Sequence, residues 1–254
     1  MKIVLLGDLH FVSPNDPDLA QRQDRAHFAE AWPSFDAVVK AVRKESPDMI
    51  ISVGDIVDYF SPENLAFAQE QLSRLPVPCL VTPGNHDYSG ASSRAEVETA
   101  FSKAGFPLEN RVLSCGDTGI LLYNTGLSKE ETDACPWLDE HLPKHSRNIL
   151  CTHVPPDLPQ TREAILSVQP DKPLAKYVRQ LGRRPFETLL PHLSHVFSGH
   201  VHFPAQYRVA TTEFQLLPLS VRAANRNYPG MGAIHTHDLT QKTTRHIQLP
   251  VIAG

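Results

Sequence analysis

Short, mainly apolar runs recur through the first hundred residues, each closed by glycine or by a polar residue able to bind a metal. Ile3 to Leu6 stops at Gly7, Met49 to Val53 at Gly54-Asp55, and Pro78 to Thr82 at Pro83-Gly84-Asn85. Runs this short, with almost no polar position, predict strands buried on both faces. Between them the period changes. Phe35, Val38, Val39 and Val42 fall on one side of a helix that Pro47 closes. Ser61-Pro62 opens a second helix running to about Arg74, with Leu65, Ala68 and Leu72 inward. Ser93 with Glu96 has the spacing of a capping box for a third, reaching about Ala104. The pattern is strand, loop, helix, repeated.

Later the balance shifts to strands, at Arg111 to Ser114, Ile120 to Asn124, Asn148 to Thr152 and Val196 to Ser198. Antiparallel strands are expected near Phe214 to Leu217, Gly232 to His237 and Thr243 to Gln248. A short helix is read around Pro136 to Leu142. Pro155 to Pro191 is the least regular stretch, with one helix expected near Leu174 to Leu181. Neither an internal repeat nor a linker interrupts the chain. Residues 1–254 are therefore read as one domain in which two packed sheets are flanked by helices.

Composition narrows the class. Of 254 residues 41% are hydrophobic and 20% charged, which suits a chain that builds a core. A net charge of −4 argues against broad nucleic-acid binding. No run approaches the roughly 20 apolar residues of a membrane span. Cys79, Cys115, Cys135 and Cys151 lack C-x-x-C spacing and read as reduced thiols, so a cytoplasmic enzyme is expected.

The chemistry lies in five clusters, each following a predicted strand: Asp8-Leu9-His10, Gly54-Asp55-Ile56-Val57-Asp58, Gly84-Asn85-His86-Asp87, His153, and Gly199-His200-Val201-His202. Oxygen and nitrogen donors at like strand ends can converge on one sheet edge, where they suit two divalent cations. Asp55 is the natural bridge, since a carboxylate has two oxygens. Asp8 and His10 can share one ion, and Asn85 offers a neutral carbonyl oxygen. His153, His200 and His202 supply the remaining nitrogens. Two divalent ions against two carboxylates leave a charge of about +2, which attracts phosphate. A hydroxide bridging the ions is the expected nucleophile. His86 is free to protonate the leaving oxygen, and Asp58 can hold its tautomer. Gly7, Gly54, Gly84 and Gly199 permit sharp turns nearby.

These five clusters, complete and in order from residue 7 to 202, resemble the signature of the calcineurin-like metallophosphoesterases. The resemblance implies a four-layer α/β/β/α sandwich with two mixed β-sheets flanked by helices. It implies one metal on Asp8, His10, Asp55 and His202 and another on Asp55, Asn85, His153 and His200. His86 would be the acid and Asp58 its orienter, and the two ions would be manganese, iron or zinc. Within the family, the Trp137-Leu138-x-Glu140 stretch, His153-Val154-Pro155-Pro156 and Tyr228-Pro229-Gly230 resemble the small bacterial cyclic-nucleotide phosphodiesterases. Tyr59 stands where the Ser/Thr phosphatase branch carries Arg.

The expected reaction is hydrolysis of a small-molecule phosphodiester, a cyclic nucleotide first. A phosphomonoesterase or nucleotidase, or a diesterase for another small or lipid-headgroup substrate, stays open, as does the oligomeric state. Selectivity is expected in the loops Phe11 to Arg25, Pro155 to Pro191 and Phe203 to Pro229. Arg222, Asn225, Arg226, Asn227 and Tyr228 are either substrate contacts or solvated loop. His27, His141, His145, His192, His195, His235, His237 and His246 are read as surface or hydrogen-bonded, although His235-x-His237 mimics a ligand pair.

Overall fold

The computed structural model describes residues 1–21, 28, 30–221 and 232–249. Eleven strands among these form two sheets. The first has the order β11-β10-β1-β2-β3, with β1 (Lys2–Leu6), β2 (Met49–Ser52), β3 (Cys79–Val81), β10 (Ala233–Asp238) and β11 (Thr243–Gln248). In it β1, β2 and β3 are parallel, while β10 is antiparallel to both its neighbours. The second runs β4-β5-β6-β7-β9-β8, from β4 (Arg111–Cys115), β5 (Thr118–Tyr123), β6 (Arg147–Thr152), β7 (Leu193–His202), β8 (Ala205–Val209) and β9 (Thr212–Pro218). Its four central strands are parallel and its two edge pairs antiparallel, so both sheets are mixed.

Alternation along each strand sorts side chains into layers, because successive residues point to opposite faces. Ile3, Leu5, Ile51, Ile120, Leu122, Ile149, Cys151 and Phe197 fill the space between the sheets. Their neighbours Val4, Leu6 and Ile50 face outward onto the helices Phe35–Glu45, Pro62–Leu72 and Arg94–Lys103 through Val38, Val42, Leu65, Ala68, Val97 and Phe101. On the other side Leu121, Tyr123, Leu150 and Val196 meet Leu138, Leu142, Phe186 and Leu190. Helices, sheet, sheet, helices: the runs are almost wholly apolar because both faces are covered. Each fully buried aliphatic side chain contributes on the order of 2 kcal/mol to holding the layers together.

Local signals act as the residue types require, with differences. Ser61 caps its helix by accepting the Asn64 N–H at 3.0 Å. Ser93 likewise accepts the Glu96 N–H, but the Glu96 carboxylate turns back to the Ser92 N–H and hydroxyl, leaving the box half made. The full capping box is Ser128 with Glu131, on an unforeseen helix at Lys129–Ala134. Between Pro155 and Pro191 the helix spans Pro159–Val168. Leu174–Lys176 makes only a short 3-10 turn where a helix to Leu181 was expected. Pro173 restricts the entry, and the chain from Val178 is drawn into a β-bridge between Arg179 and Pro156. β8 was also unforeseen, because its residues alternate between half-buried and exposed.

Of the late-strand histidines His246 is exposed, whereas His195, His235 and His237 are buried and hydrogen-bonded. His235 and His237 pair in register with Leu5 and Ile3, so they share the face that points between the sheets. The His237 ring lies 4.3 Å from that of His195, and its Nδ1 meets the Thr244 hydroxyl at 2.9 Å. Burial first, and then neighbouring cationic groups, push His195 down to about 4 and His235 and His237 to about 3. Since these pKa values lie below the unfolded value, the stability of the neutral rings is complete above about pH 6.5 and is lost as pH falls toward the folded values. The midpoint of thermal unfolding should thus drop between pH 7.5 and 5. A His237→Leu variant should show a shallower drop by calorimetry, and an equal slope would contradict the assignment.

Candidate metal centre

All five clusters lie at the C-terminal ends of parallel strands, the edge where open α/β sheets bind ligands. Asp8 and His10 follow β1, Asp55 and Asp58 follow β2, and Asn85 and His86 follow β3. His153 follows β6, and His200 and His202 end β7. One sheet thus presents both carboxylates, the amide and His10, while the other presents three imidazoles. The centre straddles the seam between them.

The backbone bends sharply to bring them together. His10, Asp55, His200 and His202 have left-handed φ values of 46°, 50°, 71° and 68°. Each costs on the order of 1 kcal/mol in a residue with a Cβ. Four ligand-type residues held this way is the mark of a site fixed by its surroundings. Gly54 (φ 106°) needs its freedom, whereas at Gly84 the constraint is space: a Cβ there would lie 2.1 Å from Asp55 Oδ1.

Donors gather in two groups. Asp8, His10, Asp55 and His202 have ligand atoms within 4.8 Å of one another, and so do Asp55, His153 and His200. Asn85 joins the second group, its Oδ1 3.2 Å from His153 Nε2. The remaining hydrogen bonds fix the tautomers. His153 Nδ1–H donates to the Val53 carbonyl at 2.9 Å, and His200 Nε2–H to the Lys176 carbonyl at 3.0 Å. Their other nitrogens then face each other as lone pairs, 3.1 Å apart. His10 Nδ1–H donates to Asp58 Oδ1 at 2.8 Å, which turns its Nε2 to within 3.1 Å of His202 Nε2. Between the groups, Asp55 Oδ2 is buried without a hydrogen-bond partner among the described residues, 3.2 Å from His153 Nε2 and 3.6 Å from His10 Nε2. Converging lone pairs and an orphaned carboxylate oxygen repel unless a cation lies among them. The donor set fits two metal ions.

The pull of this site for positive charge shows in the titration of its donors, where without metal a proton on His153 takes the cation's place. Burial disfavours charge on His153, but the Asp55 and Asp8 carboxylates outweigh it and lift its pKa to about 9. Burial and then His153 push His200 down to about 3; burial and His10 hold His202 well below the ordinary value. Burial also lowers His86, against the pull of Asp55.

Asp58 differs from its expected part. His86 Nδ1–H meets the Asp58 backbone carbonyl at 2.6 Å, while the carboxylate oxygen is 3.6 Å away and takes His10. Asp87, which no motif argument gave a duty, is buried and accepts the N–H groups of Val57 (3.1 Å) and Gly84 (2.8 Å). It clamps the Asp55 loop to the His86 loop. Tyr59 is buried and donates to Asp16 at 2.8 Å. Asp16, between the exposed Asn15 and Pro17, is thereby turned inward. Phe28 stacks on the His10 ring at 4.2 Å. Arg222, Asn225, Arg226, Asn227, Tyr228 and His27 lie outside the described residues.

Residues 1–204 match the model of the calcineurin-like phosphoesterase family. The chain is a calcineurin-like phosphoesterase. As such it is a hydrolase of phosphoric esters, from a family dependent on paired metal ions. It is similar to the 3',5'-cyclic adenosine monophosphate phosphodiesterase CpdA of Escherichia coli K12, 25% identical over 219 residues, covering 80% of this chain and 70% of that one. It is also similar to the glycerophosphodiester phosphodiesterase GpdQ of Enterobacter lignolyticus, 27% identical over 231 residues, covering 83% and 75%. Among solved structures, a dimetal phosphatase from Danio rerio shares the fold with TM-score 0.58 at 13% identity, covering 98% of this chain and 99% of that one. Among the described residues no helix is long and apolar enough to cross a membrane.

Gly84→Ala tests how rigidly the calcineurin-like phosphoesterase centre is set. The added methyl must displace Asp55, so bound metal should fall and turnover should drop at least about 100-fold, since small misplacements of reacting groups cost that much. Metal analysis of the purified variant checks it.

Proposed function

We propose that this phosphoesterase hydrolyses a small phosphodiester, a cyclic nucleotide being the first candidate. Its centre would hold two divalent ions of manganese, iron or zinc. The observation that carries the reading is the Asp55 carboxylate. Oδ1 accepts the His86 N–H at 2.8 Å, and Oδ2 is left bare between the two groups of donors. Asp8, His10, Asp55 and His202 would hold one ion; Asp55, Asn85, His153 and His200 the other. When bound, the ions supply Lewis-acid charge to the phosphate oxygens and a water activated for attack at phosphorus.

The chain's own groups do the rest. His86 binds the Asp58 carbonyl through Nδ1–H, so its Nε2 is the nitrogen left to carry a proton to the leaving oxygen. Its lowered pKa makes the protonated ring the stronger acid. Asp58 serves twice, its carbonyl orienting His86 and its carboxylate orienting His10. The diester preference draws on the likeness to relatives named phosphodiesterases. A cytoplasmic setting suits the unpaired Cys79, Cys115, Cys135 and Cys151.

Two measurements test this. Wild-type protein loaded with manganese should turn over bis(p-nitrophenyl) phosphate faster than p-nitrophenyl phosphate, and should cleave 3',5'-cyclic AMP. A preference for the monoester would overturn the diester reading. His86→Ala should keep its metal content while losing about 10²–10⁴-fold in turnover of cyclic AMP. The loss should be smaller for the nitrophenyl ester, whose leaving group needs less protonation. Unchanged turnover of cyclic AMP would remove His86 from the acid role.

A further inference from the structure

The stretch Lys176 to Arg179, in a part of the chain that carries no motif, reaches both histidines of one half of the centre, the ring of His200 and the backbone of His153. The Lys176 carbonyl takes the His200 Nε2–H at 3.0 Å, and the Tyr177 ring lies 5.2 Å from the His200 ring. Val178 anchors the stretch by packing with Ile165, Val201, Phe203 and Leu216. Arg179 reaches His153 through Thr125. Its Nη1 donates to the Thr125 carbonyl at 2.6 Å and to the Leu127 carbonyl at 2.7 Å, with the Thr132 hydroxyl at 3.4 Å. Arg179 is itself fixed by its own N–H to the Pro155 carbonyl (3.0 Å) and its carbonyl to the Asp157 N–H (2.9 Å).

Thr125 is fully buried, and its hydroxyl oxygen is the meeting point of three donors. These are the His153 N–H at 3.1 Å, the Val154 N–H at 2.8 Å and the Thr152 hydroxyl at 3.1 Å. It therefore sets where the chain leaves β6 and where His153 begins. The other half of the centre is held differently. Its His10 rests on Asp58, and its Asp8 carboxylate accepts the His200 N–H at 2.9 Å.

We infer that Arg179 and Thr125 are positioning residues that set the affinity of one metal subsite, that of Asp55, Asn85, His153 and His200, without setting the other. This rests on the two-ion reading above. Neither residue belongs to either group of donors. They act through the direction of His153, as partners behind a ligand do, and loss of such a partner typically weakens metal affinity about 10–100-fold.

The test is manganese binding to the full-length metal-free protein by equilibrium dialysis, beside its thermal unfolding. Wild type should bind two ions. Arg179→Met and Thr125→Val should bind one as tightly as wild type and the other about 10-fold or more weakly, and the metal-free variants should still unfold cooperatively, at a lower midpoint because buried polar groups lose their partners. Arg179→Lys and Thr125→Ser keep a donor and a hydroxyl, and should restore much of the second affinity. Should Thr125→Val fail to fold, the Arg179→Met and Arg179→Lys pair decides. Two ions bound by Arg179→Met as tightly as by wild type, or both weakened alike, would overturn the inference. Wild type binding fewer than two ions would instead bring down the two-ion reading, and this inference with it.

Discussion

The structure depends on one constraint: buried donors must be held converging on one another, so that only positive charge among them reconciles them. Asp55 is the centre of it. Its two oxygens have different partners, one a backbone N–H and the other bare, and imidazole nitrogens approach the bare oxygen from both sheets. Left to relax, such groups would turn to water. They are kept in place by left-handed backbone at four donor positions and by ring N–H groups tied to carbonyls and a carboxylate behind them. The apolar layers supply the stability that offsets this strain.

Because the centre straddles the seam, its geometry is a property of the packing between sheets. Ile3, Leu5, Ile51, Ile149 and Phe197 between the sheets fix the distance at which Asp55 meets His153 and His10 meets His202. Asp87 and Thr125 then fix the loops on either side, each by accepting two backbone N–H groups. The two have the same task on opposite sheets. One couples the Asp55 and His86 loops; the other aims His153.

Motif residues and strand interiors were legible in the chain; their supports were not. Mainly apolar runs identify buried strands because each position has only one kind of neighbour. The same logic failed at β8, whose faces are only partly covered; at His235 and His237 the strand was legible, but their polarity hides that they point between the sheets. A helix was expected from Leu174, where the chain instead joins Pro156 through a β-bridge, a long-range pairing that outweighs local propensity. Asp58 shows the limit for function. Its spacing from Asp55 places it beside His86, but only the folded loop decides that the carbonyl takes His86 and the carboxylate takes His10.

By itself, then, the sequence determined the donor types, their order, their places at strand ends and the alternation that builds layers, since these depend on residue chemistry and period. Only the tertiary structure decided which donors share a subsite, which nitrogen of each imidazole faces inward, and which distant residues hold them. Those are matters of distance and direction across two sheets, and residues as far apart as Asp8 and His200 acquire them only when the sheets pack.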